Sequence, residues 1–250
     1  MYYFRFLNVY VKMSKKISAL KRFFFILLLS PAVVLAQKPR VMNNPEYDEK
    51  KLHFGFSLGL NVFDFNFKRS SDLVATDSLY ADISKLEPGF QVNVVSDLRL
   101  GNYWNLRCMP GINFGQRKIV YMKNGMPYNE IRIESNFIEM PLTLKYRARR
   151  VNNYAPYLLT GVAGRWDLAA RKSYDPEKGI YVRLKPFDVY WEIGFGMDYY
   201  LYYFRFSTEL KLSLGISDVM VHDLSSTQPQ YIRAIDRLTS KLVMLSFHFE

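Results

Sequence analysis

Residues Phe90–Leu100 read Phe-Gln-Val-Asn-Val-Val-Ser-Asp-Leu-Arg-Leu, and apolar and polar side chains alternate along most of this stretch. Successive side chains of a β-strand point to opposite faces, so a period of two separates an apolar face from a polar one. One face comprises Phe90, Val92, Val94, Leu98 and Leu100, and the other comprises Gln91, Asn93, Asp97 and Arg99. The stretch therefore predicts a strand that is apolar on one side and charged on the other.

Seven further stretches alternate in the same way. Beyond Val62 the phase shifts by one, which predicts a bulge or the exit of the first strand from a membrane. The stretch 154–167 is ambiguous in phase because Gly161, Ala163 and Gly164 give little contrast between its faces. With the stretch at 90–100, the predicted strands lie at about 52–67, 104–121, 131–147, 154–167, 186–199, 203–215 and 237–249.

The connections between the predicted strands alternate in length. Those at 101–103, 148–153 and 200–202 are short, whereas those near 68–87, 122–130, 168–185 and 216–236 are longer and more polar. Outer-membrane barrels have an even number of strands, short periplasmic turns, long outer loops and aromatic girdles. The expected fold is all-β, an eight-stranded antiparallel up-and-down transmembrane β-barrel. The expected periplasmic girdle comprises Tyr103, Trp104, Tyr146, Tyr154, Tyr199, Tyr200, Tyr202 and Tyr203.

The polar face of the strands distinguishes a membrane barrel from a soluble β-sandwich or a lipocalin-like calyx. Both of these soluble folds bury their apolar faces inside the protein. Here the polar face mixes glycines and small polar residues with charges of both signs. The interior of an eight-stranded barrel is only wide enough for side chains to fill, so the charges are expected to form a structural network. The predicted lumen charge network comprises Asp97, Arg99, Arg107, Glu139, Lys145, Glu192, Arg205, Glu209 and Lys211.

The N-terminal region has the features of an export signal. Four basic residues between 15 and 22 precede an apolar run, Phe23–Leu35, and small residues stand before a cleavage point after Ala36. That run is shorter than the roughly 20 residues of a transmembrane helix. We therefore expect a signal peptide at 1–36, with Met13 as a more natural start, an extended periplasmic tail at 37–51 and the barrel at 52–250.

Charge and cysteine content exclude several classes of function. The formal charge is +11, but residues 1–36 contribute six basic residues and no acidic one, which leaves +5 scattered over the rest. This distribution argues against a nucleic-acid partner. The single cysteine, Cys108, permits no internal disulfide and no cysteine-based zinc site. No metal or cofactor is expected.

The histidines offer little material for catalysis. An outer-membrane lipid-modifying enzyme needs a histidine beside a serine or an acid, and His222-Asp223 with Ser225 and Ser226 is the closest approach to such a group. No nucleophile motif accompanies it, so a solvated loop and a non-enzymatic protein are expected. His53 and His248 are expected to pack at the periplasmic rim.

Several stretches resemble the PorT family, outer-membrane β-barrel proteins associated with the type IX secretion system of Bacteroidetes. The resembling stretches are 53–61, 98–107 with Pro110-Gly111 and Phe114-Gly115, 137–147, 153–157, 188–198 and 206–215. The run Glu-Met-Pro-Leu-Thr-Leu-Lys-Tyr at 139–146 is shared by a wider set of small barrels, whereas the combination is more specific. No catalytic residues come with the resemblance.

The resemblance implies a role in exporting proteins across the outer membrane. A filled eight-stranded lumen leaves no path for cargo, so an accessory or assembly subunit is expected rather than the conduit. The alternatives are a structural or adhesive small barrel and a lipid-modifying enzyme. The expected partners are outer-membrane lipid, lipopolysaccharide and other secretion-system subunits.

Overall fold

A computed structural model describes residues 41–69, 79–82, 87–123, 126–170, 184–221 and 235–250 of this chain. These residues are nearly all strand. A short 3-10 helix, Pro45–Glu49, precedes the sheet. No helix in these ranges is long and apolar enough to span a membrane. The strands are β1 (Leu52–Arg69), β2 (Leu79–Asp82), β3 (Glu87–Arg99), β4 (Trp104–Cys108), β5 (Gly111–Lys123), β6 (Met126–Arg147), β7 (Tyr154–Asp167), β8 (Phe187–Tyr200), β9 (Arg205–Gly215) and β10 (Ile235–Phe249).

The ten strands occupy eight strand positions around one closed antiparallel barrel, and each position is called a stave here. Strands β4 and β5 both lie between β3 and β6, and they are separated only at Met109 and Pro110. A proline has no N–H to donate to a sheet, which accounts for the interruption. The short β2 pairs with the far end of β5 and extends the stave of β3. Strand β1 pairs with both β10 and β3, which closes the sheet and confirms the predicted eight-stranded barrel.

The staves are inclined to the barrel axis, and the register between paired strands gives the size of the stagger. Following paired residues once around the barrel from Tyr146 of β6, through β7, β8, β9, β10, β1, β3 and β5, leads back to Asn136 of β6. The displacement is ten residues toward the end of the barrel that carries the long connections. Such a stagger requires strands inclined by roughly 35–45° to the barrel axis. A row of paired residues therefore climbs the wall as it goes around.

The two faces of the wall follow the alternation of the sequence. Apolar side chains on the outside are largely exposed; Met140 and Leu158, for example, are 66% and 62% accessible. Polar side chains on the inside are buried. The ambiguous β7 is resolved by the same rule, because Arg165 and Asp167 point inward while Trp166 points outward. An exposed apolar exterior around a charged interior is the arrangement that a bilayer favours.

Two sequence-based expectations are corrected by the register. No bulge occurs near Val62, because β1 and β10 pair without interruption from Phe56 to Lys68. Phe63 and Phe65 instead keep the inward phase and are buried in the lumen. The expected long connection at 122–130 is also wrong, because β5 and β6 remain paired up to Lys123 and Met126. Backbone pairing satisfies the peptide groups there, so the strands continue where a loop was expected.

The remaining connections divide between the two ends of the barrel. The connections at 100–103, 148–153 and 201–204 are short and define the short-turn end. The opposite, long-loop end carries the connections that include 70–78, 171–183 and 222–234, which lie outside the described residues. The described tail residues are not simply extended, as had been expected for 37–51. Pro45–Glu49 forms the 3-10 helix, and it packs into the short-turn end.

Candidate functional site

The lumen is the candidate functional site, and its lower part, toward the short-turn end, is centred on Arg107. This guanidinium lies 2.8 Å from Asp97, 3.2 Å from Glu209 and 3.1 Å from Glu250, and all four side chains are fully buried. The five donors of a guanidinium suit such shared contacts. Tyr157 completes the cluster by donating its hydroxyl to Glu209 at 2.9 Å.

A second set of ion pairs in the lower lumen surrounds Asp198. The Lys145 ammonium lies 2.8 Å from this carboxylate, and the Ser207 hydroxyl donates to it at 2.7 Å. Arg205 bridges the two sets, since it contacts Asp97 at 3.0 Å and Asp198 at 3.6 Å. A buried charge without partners is costly. The two sets therefore depend on one another.

The upper lumen holds a separate network. Arg165 donates to Glu139 at 2.9 Å and to Glu192 at 2.7 Å, and the Lys211 ammonium lies 3.1 Å from Glu192. The two acids balance the two bases. Asn93 adds a hydrogen bond to Glu139 at 2.9 Å. Every side chain named here is buried, so these side chains fill this layer of the lumen.

An apolar cap closes the lumen toward the long-loop end. The buried guanidinium of Arg117 lies over the rings of Phe63, Phe65 and Phe137, at 5.6, 4.6 and 4.8 Å from their centroids. It also donates to the Ser240 hydroxyl at 2.9 Å. Aromatic faces stabilise a cation electrostatically. Phe63 and Phe137 pack with Ala163, Tyr190, Leu242 and Met244.

Loop segments cover this cap. Leu184 forms an isolated bridge with Met220, and the Lys185 N–H donates to the Val219 carbonyl at 2.7 Å. Leu184, Val219 and Met220 are buried. The described residues therefore continue the apolar packing beyond the ends of the strands.

The opposite mouth is closed by a plug, residues 42–49, built around Tyr47. The Tyr47 ring stacks on His53 at a centroid distance of 4.0 Å and meets the Tyr200 ring edge-on at 5.8 Å. Its phenol is 3.3 Å from a Glu250 carboxylate oxygen, and the Arg205 guanidinium lies over the ring at 4.7 Å. Burial raises the pKa of Tyr47 above its ordinary value, although the neighbouring Arg205 opposes the change.

Polar contacts hold the plug to the barrel rim. Asp48 pairs with Arg147 at 2.9 Å and accepts a hydrogen bond from the Tyr200 hydroxyl at 3.1 Å. Asn43 donates its backbone N–H to Asn153 at 2.9 Å and its side-chain amide to the Tyr200 carbonyl at 3.1 Å. The plug is thus fixed by contacts on several sides of the mouth.

The structure places most of the predicted network residues inside the lumen, in two separate layers. Arg99 is the exception, because its side chain bonds the Gly101 carbonyl and Asn102 at the short-turn end. Sequence reasoning missed Arg165, Asp198 and Glu250 as members of the ion pairs. The position of Asp198 on the charged face of β8 was a usable signal. The predicted residues that are buried in the lumen are Asp97, Arg107, Glu139, Lys145, Glu192, Arg205, Glu209 and Lys211.

The predicted girdle needs one correction. Tyr200 is 2% exposed and points inward, where it contacts the plug, because it follows the outward Tyr199 on β8. The others lie at the short-turn end, with Trp104 packing on Tyr146 and Tyr154 on Tyr199. The residues on the outside of this end are Tyr103, Trp104, Tyr146, Tyr154, Tyr199, Tyr202 and Tyr203.

The histidines are placed in part. His53 is buried beneath the plug, with Nε2 2.8 Å from the Tyr47 carbonyl oxygen. His248, which was expected to pack at the periplasmic rim, lies inside the lower lumen with Nε2 3.2 Å from Glu209. The group at His222, Asp223, Ser225 and Ser226 lies outside the described residues, as do residues 1–40. Within the described ranges no group of three acidic, histidine or cysteine side chains is placed to hold a metal ion.

A family comparison of the sequence agrees with this architecture. Residues 35–221 match the family described as outer membrane protein beta-barrel domain. The chain belongs to this family. The family assignment places this small β-barrel in the outer membrane, with its short turns on the periplasmic side. The sequence matches no curated protein.

Solved structures with a similar fold are small outer-membrane barrels, all distant in sequence. OprG of Pseudomonas aeruginosa is 12% identical, with a TM-score of 0.45, over 78% of this chain and 92% of that one. Neisserial surface protein A is 10% identical, with a TM-score of 0.43, over 80% and 98%. Ail of Yersinia pestis is 10% identical, with a TM-score of 0.37, over 80% and 99%.

Proposed function

We propose that this outer-membrane barrel is an accessory or assembly subunit of a type IX protein secretion system and is not the conduit for cargo. Support for the secretion role comes from the stretches that resemble the PorT family, which follow one another in order along the barrel. Support for an accessory role comes from the filled lumen. The role is non-catalytic, and the charged lumen residues serve to hold the barrel together.

The closed interior is the observation that carries the proposal. Three successive barriers block the axis of the barrel: the plug around Tyr47, the ion pairs around Arg107 and Arg165, and the apolar cap around Phe63. Porins of about 16 to 18 strands leave an aqueous channel, whereas eight strands enclose a space that side chains can fill. A chain of secreted protein would have to break several buried ion pairs to pass.

Conductance in planar bilayers tests the accessory role. The purified protein is expected to give no large, stable conductance, whereas a 16-stranded porin inserted under the same conditions gives open channels. Large, stable conductance from the wild-type protein would contradict the proposal.

Deletion of the gene in its native host tests the secretion role. Secreted proteins are expected to accumulate in the periplasm and to return to the medium when the gene is restored. Normal secretion would instead favour a structural or adhesive barrel. Lipid A mass spectra from the same strain test the enzyme alternative, and they are expected to be unchanged.

Partners follow from the location. We propose contacts with lipopolysaccharide at the outer rim and with other secretion subunits at the loops or the plug face. Affinity purification of the tagged protein from native membranes is expected to recover those subunits. Recovery of the barrel without any of them would oppose the assembly role.

A further inference from the structure

The lipid-facing wall carries an apolar groove near the short-turn end. It is an open groove with a volume of about 670 Å³. Gly196, Tyr157 and Glu209 are among the residues that line it. The exterior of an outer-membrane barrel faces lipid, so hydrocarbon chains contact this groove.

The register explains why a groove forms here. An upper row of paired, bulky residues comprises Tyr146, Leu158, Phe195, Leu210 and Leu245. Two positions lower, Pro156, Met197 and Thr208 form a parallel row with a lower profile, which ends at the bulky Phe247 of β10. Below that, Tyr154, Tyr199, Phe206 and Phe249 form an aromatic row. The groove is the trough between the two taller rows.

The tilt of the strands gives the groove its direction. A row of paired residues climbs toward the long-loop end as it passes from β6 to β10. The groove therefore begins at Tyr146 and Ala148, in the periplasmic aromatic girdle, and rises into the wall as far as Leu245. This path leads from the headgroup level into the hydrocarbon of the periplasmic leaflet, as an acyl chain does.

A basic residue follows the lower end of the groove in the chain. Arg149 follows Ala148 directly and is exposed, and the Ala148 N–H is fixed by the Pro156 carbonyl at 2.9 Å. Tyr146 adds an amphipathic ring at the same level. A basic residue at the membrane surface attracts anionic headgroups. A basic side chain suits an anionic lipid headgroup, and the apolar groove suits an acyl chain of the same lipid.

We propose that the groove binds one anionic glycerophospholipid of the periplasmic leaflet, with an acyl chain along β7–β9 and the phosphate at Arg149. The site does not depend on the proposed secretion role. It is a specific lipid site on a wall that elsewhere contacts lipid without selection.

Native mass spectrometry of the full chain in detergent tests the site, with phosphatidylglycerol and phosphatidylethanolamine of identical acyl chains as probes. The wild-type protein is expected to retain one phosphatidylglycerol in preference to phosphatidylethanolamine. Thr208→Trp fills the trough and is expected to lose the retained lipid. The control Val94→Trp adds the same side chain at an exposed outward position on β3 and is expected to keep it.

The charge at the groove entrance is tested separately. Arg149→Ala is expected to lower the preference for phosphatidylglycerol roughly fivefold, the effect of about one surface charge. Lys50→Ala, an exposed cation beside the plug, is the matched control and is expected to change nothing. Heat-dependent gel mobility confirms that each variant is folded. Equal retention by the Thr208 and Val94 variants, or an unchanged preference in Arg149→Ala, would overturn the proposal.

Discussion

Glu139 and Arg165 face each other in register on β6 and β7, and the Arg165 Nε donates to Glu139 Oε2 at 2.9 Å. Both side chains are fully buried. Arg165 also holds Glu192, so one guanidinium ties together three staves, β6, β7 and β8. The ion pairs of the upper lumen therefore connect three neighbouring strands of the barrel wall.

Removal of Glu139 is expected to weaken this connection and to destabilise the barrel. Breaking a buried ion pair by deleting one partner costs about 3–5 kcal/mol, because the other charge stays buried. Glu139→Ala is expected to lower the free energy of unfolding from lipid vesicles by that amount and to lower folding yield in detergent. Urea titration and heat-dependent gel mobility measure both effects. Glu49→Ala, at an exposed position on the plug, is the control, and wild-type heat resistance in Glu139→Ala would refute the structural role.

The stability of the barrel is expected to depend more on the charge of residue 107 than on its shape. Arg107→Leu leaves Asp97, Glu209 and Glu250 close together without their common partner, and a loss of about 3–5 kcal/mol is expected. Arg107→Lys retains the charge but not the planar fork, so its loss should be smaller. The same urea titration ranks the two variants. Equal free energies of unfolding for Arg107→Leu and Arg107→Lys would show that the positive charge is not what stabilises the barrel at this position.

Strand alternation was sufficient to predict the fold, because lipid-facing and lumen-facing residues differ strongly along most staves. It was insufficient where that contrast was missing. In β7 the glycines and Ala163 hid the phase, so Arg165 was not recognised. In β1 the inward Phe63 and Phe65 looked like a change of phase, because apolar side chains were expected only on the outside. The lumen changes from charged to apolar along its axis, and a single chemical rule for its interior fails there.

The partners of each charge could not be predicted from the sequence. Asp97 and Arg205 are far apart in the chain but 3.0 Å apart in the lumen, and only the stagger of the closed barrel brings them together. Tyr200 shows a similar limit at the rim. Its aromatic ring suits a girdle, but the alternation of β8 turns it toward the plug. The dipeptide Asn124-Gly125, which favours two-residue hairpins, was the neglected signal for the close approach of β5 and β6.

Gly115 is expected to be intolerant of a side chain. A Cβ placed there would lie 2.0 Å from the Phe63 ring, which packs directly on the glycine. Gly115→Ala is expected to cost about 1–3 kcal/mol through overpacking of the apolar cap. Gly101→Ala is the control, since nothing lies within 4 Å of its Cβ position. Urea titration should separate the two variants, and equal stability would show that the cap is loosely packed.

Tyr47 is expected to hold the plug in the mouth. Tyr47→Ala removes the stacking on His53, the contact with Tyr200 and the ring beneath Arg205. Trypsin is then expected to cut faster at Lys50 and Lys51, while the barrel itself stays resistant. N-terminal sequencing of the barrel fragment identifies the cut. Glu46→Ala, at an exposed position of the same helix, should leave cleavage at the wild-type rate, and unchanged cleavage in Tyr47→Ala would mean that the polar rim contacts suffice.

The plug is also expected to loosen at alkaline pH. Burial raises the pKa of the Tyr47 phenol above its ordinary value of 10.0, outweighing the nearby Arg205. A raised pKa in the folded state means that the neutral phenol is favoured there. Its contribution to stability is therefore complete below pH 10 and is lost as the pH rises above that value. A protease active in alkali is expected to cleave the segment 42–51 of the wild-type protein increasingly above pH 10. Tyr47→Phe cannot ionise and should show a flatter profile, so parallel profiles for the two proteins would exclude Tyr47 as the titrating group.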